Sequence, residues 1–404
     1  MRPTSLLLLL ALLAASGCGG GHEDAGAGAT GDGVGRVLLV GLDGAAPELV
    51  DRLIAEEQLP HLAAIARAGA SGRLRSIAPL YSPRIWNTIA TGKLPERHGI
   101  LGFAYTNGRG GQSLYLSHHR KAHALWNIVS RAGKKVGVVN LWNTYPPARV
   151  NGVMVSDHLL ARAVSGRRAI TGAADVPNGP LTYPAEWEAR IAALLEDDTP
   201  LTDIANPLAD DPELPAHLSV LGERLPDAFA EDAKLARIAL EIEAAIRPDL
   251  LMVLLPGVDR VSHMLWGSLV EDQSLYPEAI RFDAGERRAG RRALETYYRY
   301  ADALVGLLVE RYDDDDLVVV LSDHGFEAGQ ELGFLTGAHH SPAAIDGVVF
   351  ARGPDVGPPD PPDQRMSVND VTPTLLAWLG LPVAADMDGR PAAFLRGAAA
   401  AWEV

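Results

Sequence analysis

Three carboxylates and three imidazoles follow, or immediately precede, short apolar runs in this chain. Asp43 comes after Val37-Leu-Leu-Val-Gly-Leu42. Asp259 and His263 come after Asp249-Leu-Leu-Met-Val-Leu-Leu255, and Asp323 with His324 after Asp316-Leu-Val-Val-Val-Leu321. Gly337-Ala-His339-His340 stands ahead of Ile345-Asp-Gly-Val-Val-Phe-Ala351. Each has a plain structural explanation: an Asp after a strand is commonly a turn residue, an Asp and a His four apart share one helix face, and loop histidines are often solvated. Taken together they form a donor set. Carboxylate and imidazole suit a transition metal such as zinc, whereas calcium takes oxygen ligands. Three of each suffice for two zinc-type sites, and two divalent ions about 3.5–4 Å apart can clamp the attacking and departing oxygens of an in-line displacement. The nucleophile expected beside them is a hydroxyl. Ser82, in the segment Ser82-Pro-Arg84 that opens a predicted helix, is the choice, since Pro is tolerated in a first turn. A helix N-terminus would add amide donors for a phosphoryl oxygen; the competing explanation is that Ser82 is only an N-cap.

These residues need a scaffold that brings separate strand ends to one edge. Unbroken, β-branched apolar runs read as strands buried on both faces. They alternate with helical stretches at Pro47 to Ala68, Ala122 to Ala132, Ala228 to Ile246, Glu286 to Arg311 and Asp370 to Gly380. Lys135 to Asn140 adds a further strand. Alternation of this kind predicts a doubly wound α/β sheet, whose ligands gather at the C-terminal ends of the strands. Between about residues 160 and 227 the pattern degrades into Pro- and Asp-rich sequence, read as an insertion or cap.

The chain has 404 residues, 47% hydrophobic, and a formal net charge of −15. That balance argues against nucleic-acid or anionic-membrane binding through bulk electrostatics. An anionic substrate would need local cations, such as metal ions. The run Ser5 to Cys18 is too short to span a bilayer and ends in small residues, as a secretory signal does. Ala15-Ser16-Gly17-Cys18 resembles a bacterial lipoprotein box, which makes Cys18 the lipidation site and residues 1–18 the signal. Residues 19–35, rich in Gly and Ala, read as a flexible tether. Residues 36–404 are then one folded domain outside the cytoplasm, lipid-anchored to a membrane in the periplasm or at the cell surface. Cys18 is the single cysteine, so no internal disulfide can form.

The motifs resemble the alkaline phosphatase superfamily, in particular its type I phosphodiesterase/nucleotide pyrophosphatase branch. The matching stretches are Val37 to Gly44, Tyr81 to Gly92, Pro95-Glu-Arg-His-Gly-Ile100, Asp259 with His263, Ser322-Asp-His-Gly325, Gly337-Ala-His339 and Asp370-Val-Thr-Pro-Thr374. The resemblance implies a three-layer α/β/α sandwich around a mostly parallel sheet. It implies one zinc held by Asp259, His263 and His339, and a second by Asp43, Asp323 and His324 with the Ser82 oxygen. Ser82 would be metal-activated, attack phosphorus in line and pass through a phosphoseryl intermediate. The expected substrates are small phosphate esters, foremost phosphodiesters or nucleotide pyrophosphates. His339 fits the family spacing better than His340, and His98 is expected to pack rather than react.

Two positions depart from the family's best-known members: Ser82 stands where Thr is usual, and Phe103 where an Asn helps to hold a phosphoryl oxygen. Arg84, Asn107 and the stretch His118-His-Arg-Lys121 are candidate replacements. A phosphomonoesterase or phosphonate hydrolase of the same fold is the alternative. A sulfatase would place Pro and Arg differently after its nucleophile and would favour Asn over His324. Phosphoethanolamine transferases of the superfamily carry several membrane-spanning helices, and the present sequence has no apolar run of that length beyond its signal. A non-catalytic binding lipoprotein is the reading from a different class.

Overall fold

The computed structural model describes residues 35–160, 179–205, 225–331, 333, 335–358 and 365–394. The lipoprotein signal, Cys18 and nearly all of the tether lie outside them, as do parts of the predicted cap.

In chain order, the first half contains β1 (Val37–Leu42), α1 (Pro47–Ala55), α2 (Pro60–Ala68), β2 (Ala70–Arg75), α3 (Ser82–Thr91), α4 (Pro95–His98), β3 (Ala104–Thr106), β4 (Gln112–Leu114), α5 (Leu125–Arg131), β5 (Val136–Val139), β6 (Gly152–Val155), β7 (Thr182–Tyr183) and α6 (Trp187–Leu195). The second half contains α7 (Leu225–Ile246), β8 (Leu250–Leu255), α8 (Gly257–Leu265), α9 (Ala284–Val309), β9 (Leu317–Leu321), β10 (Glu327–Glu331), β11 (Leu335–Ala338), β12 (Asp346–Arg352), β13 (Met366–Ser367) and α10 (Val371–Trp378). Nine strands form the main sheet in the order β13-β2-β12-β9-β1-β8-β5-β6-β7. The sheet is mostly parallel, with β12 antiparallel to both neighbours and β7 antiparallel to β6.

The alternation of side chains along a strand divides β1 between two cores. Leu38, Val40 and Leu42 join one hydrophobic cluster, while Val37 and Leu39 join the other. Helices cover both faces, so every residue of β1, β8 and β9 is buried. This is the three-layer sandwich of the alkaline phosphatase-like fold.

Register places the chemistry. Leu42 lies opposite Leu255, and Gly41 opposite Leu321, so β8, β1 and β9 end level at one edge. Asp43 and Asp323 therefore leave the sheet side by side, and α8, which follows β8, carries Asp259 in its first turn to the same edge. Strand β12 runs antiparallel to β9, with Val349 opposite Leu321, and so enters the sheet from that same edge. The segment before it, with His339 and His340, is delivered there by topology.

Two close approaches complete the placement. A Cβ added at Gly41 would lie 2.2 Å from Cη2 of Trp86, so the absent side chain lets α3 settle onto β1 with Ser82 at its head. A Cβ at Gly337 would lie 2.4 Å from the Ser262 carbonyl oxygen, which lets β11 press against α8 and brings His339 to His263.

Several elements differ from the sequence expectation. The predicted helix from Pro47 to Ala68 is two helices, because Pro60 starts a new one after a break at residues 56–59. Within the predicted cap, β7 pairs with β6 at the edge of the main sheet and α6 contributes Trp187 and Ile191 to a core cluster. The described part of that segment is thus built partly into the sandwich. No helix among the described residues is long and apolar enough to cross a membrane.

Candidate active site

Ser82 opens α3 and is 5% exposed. Its Oγ donates to Asp43 Oδ1 at 3.2 Å and lies 3.5 Å from His324 Nε2. The amides of Arg84 and Ile85 are bonded to the Tyr81 carbonyl, and Pro83 has none. The helix terminus therefore offers less than the sequence suggested: its dipole and the amide of Ser82 itself.

Asp43, Asp323 and His324 form one tight group, with one ligand-type atom of each within 4.8 Å of the others. His324 Nε2 is 3.6 Å from Asp43 Oδ1 and 3.6 Å from Asp323 Oδ2. The His324 Nδ1 lies 3.0 Å from the Gly325 carbonyl oxygen. A carbonyl only accepts, so the ring proton belongs on Nδ1 and the Nε2 lone pair faces the carboxylates. Asp323 Oδ1 accepts from the Gly44 amide at 3.2 Å, while its Oδ2 is buried without a hydrogen-bond partner.

Asp259, His263 and His339 form the second group, equally compact. His263 Nδ1 stands 2.9 Å from the Gly337 carbonyl oxygen, which again directs the Nε2 lone pair inward. That Nε2 lies 3.4 Å from Asp259 Oδ1 and 3.2 Å from His339 Nε2. The groups adjoin, because the His339 ring stacks on His324 with centroids 4.1 Å apart. His340 points elsewhere: its side chain is 56% exposed and its Nε2 faces Glu331 Oε2 at 3.5 Å. The geometry thus gathers His339 and leaves His340 outside.

The electrostatics are those of a site lacking positive charge. No Lys or Arg pairs with Asp43, Asp259 or Asp323 among the described residues. Burial, and then the neighbouring Asp43 charge, push the carboxyls of Asp259 and Asp323 well above the usual carboxylate range. Burial and the surrounding imidazoles of His324, His263 and His340 push His339 down, so it is neutral. Buried oxygens of Asp259 and Asp323 lack hydrogen-bond partners, an arrangement costly without a counter-charge. Divalent cations would reverse these shifts. The mixed oxygen and imidazole donors fit zinc-type ions.

Sequence reasoning missed two neighbours. Trp142 Nε1 donates to Asp43 Oδ2 at 3.2 Å. It follows β5 at the same sheet edge, so the strand-end rule could have found it. Glu331 Oε2 lies 3.3 Å from His263 Nδ1; it sits on the β10–β11 hairpin, which has no apolar periodicity to announce it. Glu327, on the same hairpin, accepts from the amides of His340 and Ser341 at 2.9 and 2.7 Å and so fixes the loop that carries His339.

Phe103 is 40% exposed and packs edge-on against Trp142, with centroids 5.4 Å apart. It borders the site but offers no donor. Among the suggested replacements, Asn107 holds its own turn, accepting from Arg109 and Gly111 amides at 3.0 Å. Arg120 is tied to Asn87 and Asn143. Arg84 lies 3.8 Å from Glu96. His98 is fully buried, 3.0 Å from Thr88 Oγ1, and accepts from the Ile100 amide at 3.2 Å; it fastens α3 to the loop after α4.

A mostly parallel sandwich with a buried serine and two acid–imidazole groups at one strand edge is the arrangement of the alkaline phosphatase superfamily. The family model described as type I phosphodiesterase/nucleotide pyrophosphatase matches residues 37–354, and the chain belongs to that family.

Similar solved structures include a 2-O GAG sulfatase, at 13% identity and TM-score 0.56 over 90% of this chain and 74% of that one. Murine ectonucleotide pyrophosphatase/phosphodiesterase 5 aligns at 13% identity and TM-score 0.50, over 88% of this chain and 97% of that one. Phosphonoacetate hydrolase from Sinorhizobium meliloti aligns at 19% identity and TM-score 0.44 over 74% of this chain. The chain spans 59% of the length of that phosphonoacetate hydrolase. At such identities the likeness concerns the fold. No curated protein matches the chain.

Proposed function

We propose that the protein hydrolyses phosphate esters, foremost diesters, with Ser82 as nucleophile. The reading rests on one observation above the others: Ser82 Oγ lies 3.2 Å from Asp43 Oδ1, beside two groups of candidate metal ligands. Asp259, His263 and His339 would hold one zinc ion, and Asp43, Asp323 and His324 the other. When bound, the ions supply Lewis acidity toward the reacting oxygens.

The side chains set the geometry of the reaction. Asp43 accepts the Ser82 hydroxyl hydrogen and so leaves the Oγ lone pairs available for attack. Attack forms the Ser82 Oγ–P bond as the P–O bond to the departing alcohol breaks, the proton lost by the serine hydroxyl being balanced by the one gained by the departing oxygen. Water then cleaves the phosphoserine, returning the serine hydroxyl and releasing phosphate or its monoester. Trp142 holds the second oxygen of Asp43, and the Nδ1 contacts of His263 and His324 preserve their inward lone pairs.

A monoester- or phosphonate-preferring hydrolase is the second reading, favoured by one observation. Phe103 removes an amide donor that would help to hold a diester's phosphoryl oxygen. Turnover of aryl phosphodiester, phosphomonoester, phosphonate ester and sulfate ester with added zinc separates these substrates. A preference for the sulfate ester would contradict the proposal.

We further propose that residues 1–18 are a lipoprotein signal and that Cys18 anchors the domain outside the cytoplasm. Mass spectrometry of the mature N-terminus tests this: an unmodified Cys18 within an uncleaved chain would contradict it.

A further inference from the structure

A cavity of about 310 Å³ lies along α5, and none of the acid–imidazole cluster lines it. Its walls carry Arg120, Arg131, Arg149, His118, His123 and Asn127, and no Asp or Glu. That volume falls at the lower end of small-molecule sites, which span roughly 300–1,000 Å³.

The charge here runs against the composition. In a chain of net charge −15, three guanidiniums line one cavity and make no ion pair with a carboxylate among the described residues, Asp157 acting on Arg120 only through its charge at longer range. Arg120 Nη1 donates to Asn87 Oδ1 and the Asn143 carbonyl at 3.0 and 3.2 Å, and Arg131 Nη1 meets His123 Nε2 at 3.2 Å. Elsewhere arginines are paired: Arg36 with Glu243 and Asp316, Arg52 with Glu295, Arg237 with Asp197. Arg120 is also partly buried, its guanidinium 4.9 Å from the Trp126 ring centroid. Burial lowers its pKa to about 10, so it stays charged at neutral pH. Guanidinium forks match the oxygens of a phosphate group.

We propose that this cavity binds the phosphate group of a small soluble molecule, at a site separate from the reaction centre. Asn127 and Ser130 on the same walls add hydrogen-bonding groups for the ligand's oxygens. The site also touches the nucleophile's helix: Asn87, which accepts from Arg120, donates to the Pro83 carbonyl at 2.7 Å.

Calorimetric titration of the full chain with inorganic phosphate, at constant ionic strength, tests the assignment. Arg131 and Arg149 are exposed and outside the proposed catalytic machinery. Arg131→Glu with Arg149→Glu should weaken one phosphate-binding event by at least about tenfold, leaving aryl phosphodiester turnover and thermal melting unchanged. Arg149→Ala alone should give a smaller loss and serves if the double variant does not fold. Unchanged phosphate binding in both variants would overturn the proposal, as would equal displacement by chloride. Binding to phosphatidic-acid vesicles without binding of free phosphate would also overturn it. Because the readout is phosphate affinity at these arginines, failure of the Ser82 assignment would leave the result intact.

Discussion

The Nε2 atoms of His263 and His339 lie 3.2 Å apart, and both face Asp259 Oδ1, at 3.4 and 3.7 Å. Two imidazole nitrogens and a carboxylate oxygen converging in this way fit the zinc site proposed above. His339→Ala should therefore lower bound zinc by one ion per chain, measured by elemental analysis after dialysis. His340→Ala should keep the wild-type stoichiometry, because its ring is turned to Glu331. The opposite pattern would reassign the ligand.

Glu331 acts on the same site through His263. Its Oε2 lies 3.3 Å from His263 Nδ1 and has no hydrogen-bond partner. A carboxylate behind a ligating imidazole orients the ring and raises its basicity. Glu331→Gln should weaken zinc binding by about 10–100-fold, read by competition with a chromogenic chelator. Unchanged affinity would show that the Gly337 carbonyl alone suffices.

His98 gives the fold a pH dependence of known sign. Burial, followed by the charges of Arg120 and Arg84, lowers its pKa from 6.5 to about 3. The folded value lies below the unfolded one. Its contribution is therefore complete above about pH 6.5 and is lost as pH falls toward about 3, at up to about 1.4 kcal/mol per pH unit. His98→Gln should be less stable at pH 7 and show a flatter melting temperature between pH 7 and pH 4. Parallel profiles for the two proteins would refute the assignment.

Phe103 tests the substrate preference. Phe103→Asn puts an amide where the family resemblance implies one, beside Trp142 and Tyr81. If a missing donor limits diester turnover, kcat/KM on an aryl phosphodiester should rise by about tenfold or more. A fall would mean that the aromatic face itself binds the ester.

The sheet and most of the donor set were legible because both depend on strong local signals. Apolar runs mark β1, β8 and β9, and their register makes Asp43, Asp259 and Asp323 neighbours without further information. What escaped depends on tertiary placement. Pro60 could be read as an internal residue of one long helix until the break before it was seen. Glu331 lies on a polar hairpin whose burial pattern alternates only between partly buried and exposed. The amide donors expected at the head of α3 are reduced because Tyr81 accepts from two of them. The arginine cleft along α5 joins the His118 to His123 stretch to Arg131 and Arg149, a juxtaposition that spacing along the chain does not announce.

The central claim is that Ser82 attacks phosphorus at a site held by the two acid–imidazole groups. Turnover of an aryl phosphodiester by Ser82→Ala, with zinc present and metal content measured alongside, tests it most directly. The account predicts retained metal with turnover lowered by about 10³-fold or more; undiminished turnover in the variant would contradict it.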